Sequence, residues 1–226
     1  MSDNRRPIST RSTQWAQKIT AQLVARNISP NQISVASIAF ACLGAFTLLA
    51  HTGFWASLLC IAAIQLRLLC NLFDGMVAIE GGKQSALGSL YNEFPDRIAD
   101  SLLIVALGYA AGLPAVGWSA ALAAALTAYV RVFGGSIGQA QRFTGPMAKQ
   151  HRMAVMTGCL VLNAAEALIF HTHYCLMAGL WVIAIGSAIT CITRTLGLAR
   201  DIQASRPTEP AQPADRSASG DAHVDQ

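Results

Sequence analysis

Residues 71–100 read NLFDGMVAIEGGKQSALGSLYNEFPDRIAD, and this stretch decides the fold. It opens as the polar end of one apolar run and closes as the polar start of the next. Asn71 and Asp74 are i, i+3, while Asn92, Asp96 and Asp100 are i, i+4, i+8, so on helices each set shares a face. Glu93 stands three before Asp96 and points within about 100° of that face. Residues 78–86 between them are polar and glycine-rich, which reads as a loop. Two helix ends therefore bring several oxygen ligands face to face. Gly75 and Gly88 remove side chains where helices or a ligand must come close. Such oxygens suit a hard dication, Mg²⁺ or Mn²⁺, which in turn binds phosphates.

Outward from this stretch the chain is apolar. Of 226 residues 53% are apolar and 12% charged, roughly half the ~25% charge of a soluble domain. This argues against a soluble globule and against disorder as the main class, and the net charge of +4 rests on too few charges to indicate nucleic-acid binding. A membrane span takes ~20 mostly apolar residues. The expected spans are about 34–50, 54–73, 87–111, 116–133, 153–170 and 175–193. The third is polar in its first half. Ahead of them, Trp15, Ile19 and Leu23 at i, i+4, i+8 predict an amphipathic helix on the membrane surface. The fold class expected is thus an all-α integral membrane protein of six transmembrane helices preceded by that surface helix. Its parts are a cytoplasmic segment 1–32, a membrane domain 33–200 and a disordered cytoplasmic tail 201–226.

Charge placement orients this plan. All sixteen Lys and Arg fall on one side, in the N-terminal segment, loops 2–3 and 4–5, the tail, or helix ends facing them. Loops 1–2, 3–4 and 5–6 hold none. By the positive-inside rule both termini are cytoplasmic, and a bacterial inner membrane is the expected location. Trp55, Trp118 and Tyr174 mark the opposite interface, where His51, His171 and His173 are solvated. The first 32 residues show no apolar core of a secretory signal. None of the six cysteines forms a CxxC pair, and all read as small apolar residues in helices. Of the six acids between 33 and 200, five lie between Asp74 and Asp100. Carboxylates are costly in a membrane protein, so a cluster of them marks function.

The spacing in this cluster resembles the CDP-alcohol phosphatidyltransferase family, whose motif is D-x2-D-G-x2-A-R-x8-G-x3-D-x3-D. Asp74, Gly75, Ala78, Gly88 and Asp96 match at every interval, and the family's six-helix plan covers about 30–195. Ser29-Pro30-Asn31 with Ile33-Ser34 is similar to the Pro-Asn element that opens the first span in many members. The resemblance implies transfer of a substituted phosphate, phosphatidyl or phosphoalcohol, from a CDP-linked donor to an alcohol acceptor in phospholipid biosynthesis. The acceptor oxygen attacks the donor's non-cytidine phosphorus and CMP leaves. It implies Asp96 as the catalytic base. Asp74, Gly75, Ala78 and Gly88 fall to the nucleotide, and Arg131, Lys149 and Arg152 to the acceptor or its phosphate. Membrane lipids are the implied surroundings, with homodimers as in many family members.

Three positions depart from the motif. Asn71 and Asn92 stand where the family has its first and third Asp, and Ile79 replaces its Arg. In the family, four Asp hold two metals on the pyrophosphate. Here the expected ligands are Asp74 and Asp96 with the amide oxygens of Asn71 and Asn92, and Glu93 and Asp100 restore the carboxylate count. A similar bacterial branch carries Asn at both positions. The competing reading is a catalytically silent membrane protein that binds nucleotide or lipid. A transporter has no support, because no inverted repeat is visible. Arg67 is expected to snorkel to the interface, with a helix-packing ion pair as the alternative, and Asn163 with Glu166 to form a buried polar pair or to reach the opposite surface.

Overall fold

Ser29 starts the first long helix with a capping box. Its hydroxyl accepts from the Gln32 amide at 3.2 Å, and its own amide donates to Gln32 Oε1 at 2.9 Å, with Pro30 at the first helical position. The computed structural model describes residues 13–205, and among these it holds seven helices and no strand. They are α1 Gln14–Ala25, α2 Pro30–Ala50, α3 Phe54–Glu80, α4 Gly88–Ala110, α5 Pro114–Ser136, α6 Lys149–Ile169 and α7 Tyr174–Ala204. Residues 1–12 of the expected N-terminal segment and 206–226 of the expected tail lie outside the described residues.

Five of these helices, α2, α3, α5, α6 and α7, are long and apolar enough to cross a membrane. The sequence reading expected six. The difference is α4, which is long enough at 23 residues but carries Glu93, Asp96, Arg97 and Asp100 in its first half. α3 and α7 also outrun their apolar stretches, to Glu80 and Ala204 instead of about 73 and 193. Helical backbone satisfies its own hydrogen bonds whether or not lipid surrounds it. The apolar run therefore sets where a span lies, not where its helix stops.

The bundle packs around Leu103, Ile104, Leu107, Leu160, Leu176 and Leu180, all fully buried. Its outer face exposes large apolar side chains such as Phe46, Trp55, Leu122 and Ile169, as a lipid-facing surface does. At the α4–α5 crossing the backbones touch: a Cβ on Gly108 would lie 2.6 Å from Gly117 Cα. Small residues permit that approach. α1 lies against α3. Ala16 and Thr20 are buried there and Trp15 packs edge-on to Phe73, with ring centroids 6.1 Å apart. Trp15 and Ile19 are exposed and Leu23 is half-buried.

At the end away from the acid cluster, Asn163 and Glu166 tie helices together. Asn163 donates to Thr52 O at 2.7 Å and Ser57 Oγ at 2.9 Å. Glu166 accepts from the backbone amides of Tyr174 at 2.7 Å and Cys175 at 2.8 Å, and so caps α7. Arg67 does not snorkel. It is fully buried and donates to Asp100 Oδ1 at 2.6 Å. A carboxylate one helix away offers a better partner than the interface, and the partner is visible only in the folded bundle. All six cysteines are free thiols.

Candidate active site

Three cavities meet where α3 and α4 face each other. The first, about 390 Å³, lies between the start of α2, the end of α3 and the start of α4, and is lined by Asn31, Ser34, Asp74, Gly75, Ala78 and Gly88. The second, about 350 Å³, lies between α4, α5 and α6, with Glu93, Asp96, Arg97, Arg131, Lys149 and Arg152 on its wall. The third, also about 350 Å³, is bounded by Leu68, Leu69 and Leu72 of α3 and Gln150 of α6. Asn92 lines all three, and Asp96 lines the second and third.

Each acid of the cluster has distinct partners. Asp74 is buried and its Oδ2 accepts the Ser34 hydroxyl at 2.7 Å. Asp96 Oδ1 accepts Asn71 Nδ2 at 2.9 Å, and its Oδ2 meets the Lys149 ammonium. Asp100 lies between two buried arginines, Arg67 at 2.6 Å and Arg152 at 2.9 Å. Glu93 pairs with Arg131 at 2.5 Å. Arg131 in turn lies over the Phe143 ring, 5.1 Å from its centroid.

These partners bear directly on the expected ligand set. Asp74, Asp96, Asn71 and Asn92 gather at the junction of the cavities, with Gly75, Ala78 and Gly88 on the first cavity's wall. Glu93 and Asp100, expected to make up for the missing carboxylates, each pair with arginine in this structure. Both carboxylates are taken by guanidinium groups on neighbouring helices, which satisfy their charge without a metal. Among the described residues no three His, Cys, Asp or Glu side chains converge. The junction still fits a dication, because two carboxylates and two amide oxygens are the hard donors Mg²⁺ and Mn²⁺ prefer.

The basic residues divide likewise. Arg131 and Lys149 face the second cavity with their charged ends on Glu93 and Asp96. Arg152 is buried, and beyond Asp100 it donates to Met147 O at 2.8 Å, so it braces the loop before α6 as well as lining the cavity. That loop is shaped by Gly145, whose φ of 121° favours glycine, and by the Met147 amide donating to Thr190 Oγ1 at 2.8 Å. It delivers Lys149 as the first residue of α6, where no side chain caps the helix.

Sequence reasoning missed three contributors. Ser34 bonds Asp74 across 40 residues, and its signal was its place in the Pro-Asn element that opens the first span. Arg97 looked like an ordinary helix charge, yet it lines the second cavity. Arg194 clamps α7 to Thr127 O and Thr144 O, both at 2.8 Å, from a helix read as merely apolar.

This architecture has solved counterparts. The crystal structure of Mycobacterium tuberculosis phosphatidylinositol phosphate synthase with CDP-DAG bound superposes with a TM-score of 0.73 at 18% identity, over 87% of this chain and 100% of that one. The same enzyme in complex with manganese and citrate gives 0.71 at 18% identity, over 86% and 93%. The fold is therefore that of the solved phosphatidylinositol phosphate synthase. In sequence, a phosphatidylinositol phosphate synthase of Streptomyces avermitilis is 27% identical over 195 residues, 80% of this chain and 76% of that protein. These relatives are CDP-alcohol phosphatidyltransferases, the family to which the motif spacing pointed. No protein-family model matches the chain.

Proposed function

We propose that this protein is a metal-dependent transferase of phospholipid biosynthesis. It moves a phosphatidyl group from a CDP-linked lipid to an alcohol acceptor and releases CMP. The observation that carries this reading is the junction itself: Asp74 and Asp96 on two facing helices, between a neutral polar cavity and a basic one. Relatives of the same fold include one with CDP-DAG bound and one with manganese, and both ligands suit these walls.

The CDP moiety occupies the first cavity, where Gly75, Ala78 and Gly88 leave room for phosphates close to backbone. The acceptor occupies the second. Its five basic side chains, Arg97, Arg131, Lys149, Arg152 and Arg194, outnumber Glu93 and Asp96, so an acceptor that carries its own phosphate, a phosphorylated polyol, fits best. Asp96 stands on the shared wall and takes the proton of the attacking hydroxyl. The new bond joins acceptor oxygen to the lipid-side phosphorus, and the bond from that phosphorus to the CMP oxygen breaks. Asp74 and Asp96, with the amide oxygens of Asn71 and Asn92, would hold a Mg²⁺ or Mn²⁺ that offsets charge on the phosphoryl oxygens.

In this reading α4 is the sixth span. Its charges sit at the cytoplasmic end beside Arg67, Arg131 and Arg152, and both termini face the cytoplasm of a bacterial inner membrane. The test is CMP release by the purified protein with CDP-diacylglycerol, Mg²⁺ and a panel of acceptors including inositol phosphate and glycerol phosphate. Release with a phosphorylated acceptor is expected. Thermal stabilisation by CDP-diacylglycerol without turnover under any pairing would instead identify a silent binder.

A further inference from the structure

We infer that this centre is built for one divalent cation, with the Lys149 ammonium as a fixed positive charge on the side of Asp96 where a second cation would otherwise lie. The inference rests on the metal-dependent reading above and sharpens it.

The argument starts from charge. At the junction only Asp74 and Asp96 are anionic, because Asn71 and Asn92 are neutral. With the Lys149 ammonium on Asp96 the two carboxylates sum to −1, so one dication brings the centre to +1 before the donor's phosphates arrive. A second would bring it to +3 among apolar helices, which is costly. Geometry points the same way. Asp96 Oδ1 already accepts Asn71 Nδ2 at 2.9 Å and has Arg67 Nη2 at 3.6 Å. Asp96 Oδ2 meets Lys149 Nζ and has Arg97 Nη2 at 3.9 Å. Both oxygens thus face cations or N–H donors. An aspartate at position 71 could not donate to Asp96; asparagine can, and the hydrogen bond leaves its carbonyl oxygen for a cation nearer Asp74. Asp74, by contrast, is held by a neutral hydroxyl. The centre is polarised, with a metal-binding side at Asp74 and an ammonium side at Asp96.

The experiment is Mn²⁺ titration of the purified full chain, read by electron paramagnetic resonance. The wild type is expected to bind one Mn²⁺ with the six-line spectrum of an isolated ion. Lys149→Met frees Asp96 from a competing unit charge and should bind Mn²⁺ about tenfold more tightly, whereas Lys149→Arg keeps the charge and should leave affinity near the wild-type value. In the Lys149→Met background, Asn71→Asp with Asn92→Asp should admit a second Mn²⁺ and produce the broadened spectrum of a coupled pair. Two Mn²⁺ in the wild type would overturn the inference and leave the transferase reading intact. Unchanged Mn²⁺ affinity in a folded Lys149→Met protein would overturn the role of Lys149. No bound Mn²⁺ in folded wild type would overturn the metal-dependent reading beneath it. The wild-type stoichiometry decides the first point even where a variant does not fold.

Discussion

Asp96 and Asp100 are one helical turn apart, yet their surroundings assign them different work. Asp96 borders two cavities, while Asp100 borders neither and holds Arg67 and Arg152. Asp96→Asn removes the proposed proton acceptor, so CMP release should fall by about 10²–10⁴-fold. Asp100→Asn leaves two buried guanidinium groups short of a partner and should cost about 3–5 kcal/mol of stability. Thermal unfolding in detergent, set beside the turnover assay, separates the two: the first variant loses mainly rate, the second mainly melting temperature. The i, i+4 spacing showed that both acids share a face. It could not show what that face meets, because Arg67 and Arg152 come from helices 33 and 52 residues away. Spacing placed Asp74 and Asp96 on facing helices, but it could not reveal the guanidinium partners of Glu93 and Asp100.

Helices were legible because an apolar run long enough to span a bilayer has few other outcomes. The junctions between them were less so. Glu166 looked like a stray acid in a span, but its carboxylate accepts two amides at the start of α7 and the Thr172 hydroxyl at 2.6 Å. Glu166→Ala should therefore cost about 1–3 kcal/mol by leaving those donors unpaired, with turnover at saturating substrates unchanged, since this contact lies at the far end of α6 from Lys149. Gly108→Leu tests a different junction. Its side chain has no room against the Gly117 backbone, so α4 and α5 must separate. A lower melting temperature with loss of CMP release is the expected result, because α4 carries Asp96 and α5 carries Arg131.

Across the molecule, the two polar cavities share Asn92 and lie on opposite sides of the α3–α4 seam. On the proposed reading, donor and acceptor reside together in them. Initial-rate plots against both substrates should intersect, and parallel lines, the mark of a covalent enzyme intermediate, would contradict this arrangement. Arg131→Gln removes a charged donor from one cavity only. It should raise KM for a phosphorylated acceptor about tenfold to 100-fold and leave KM for the CDP-lipid near its wild-type value.

The four charges on α4 have a consequence for biogenesis. An acid or base in the middle of a lone helix adds about 2.5–3.5 kcal/mol to the free energy of insertion. The arginines that neutralise Glu93 and Asp100 belong to α3, α5 and α6. Of these only α3 has left the ribosome when α4 emerges. As the sixth span proposed above, the fourth helix should thus wait at the translocon and settle into lipid once its later partners arrive. Truncation after residue 112 should leave it poorly inserted in a glycosylation-reporter assay, and extension through residue 170 should restore insertion.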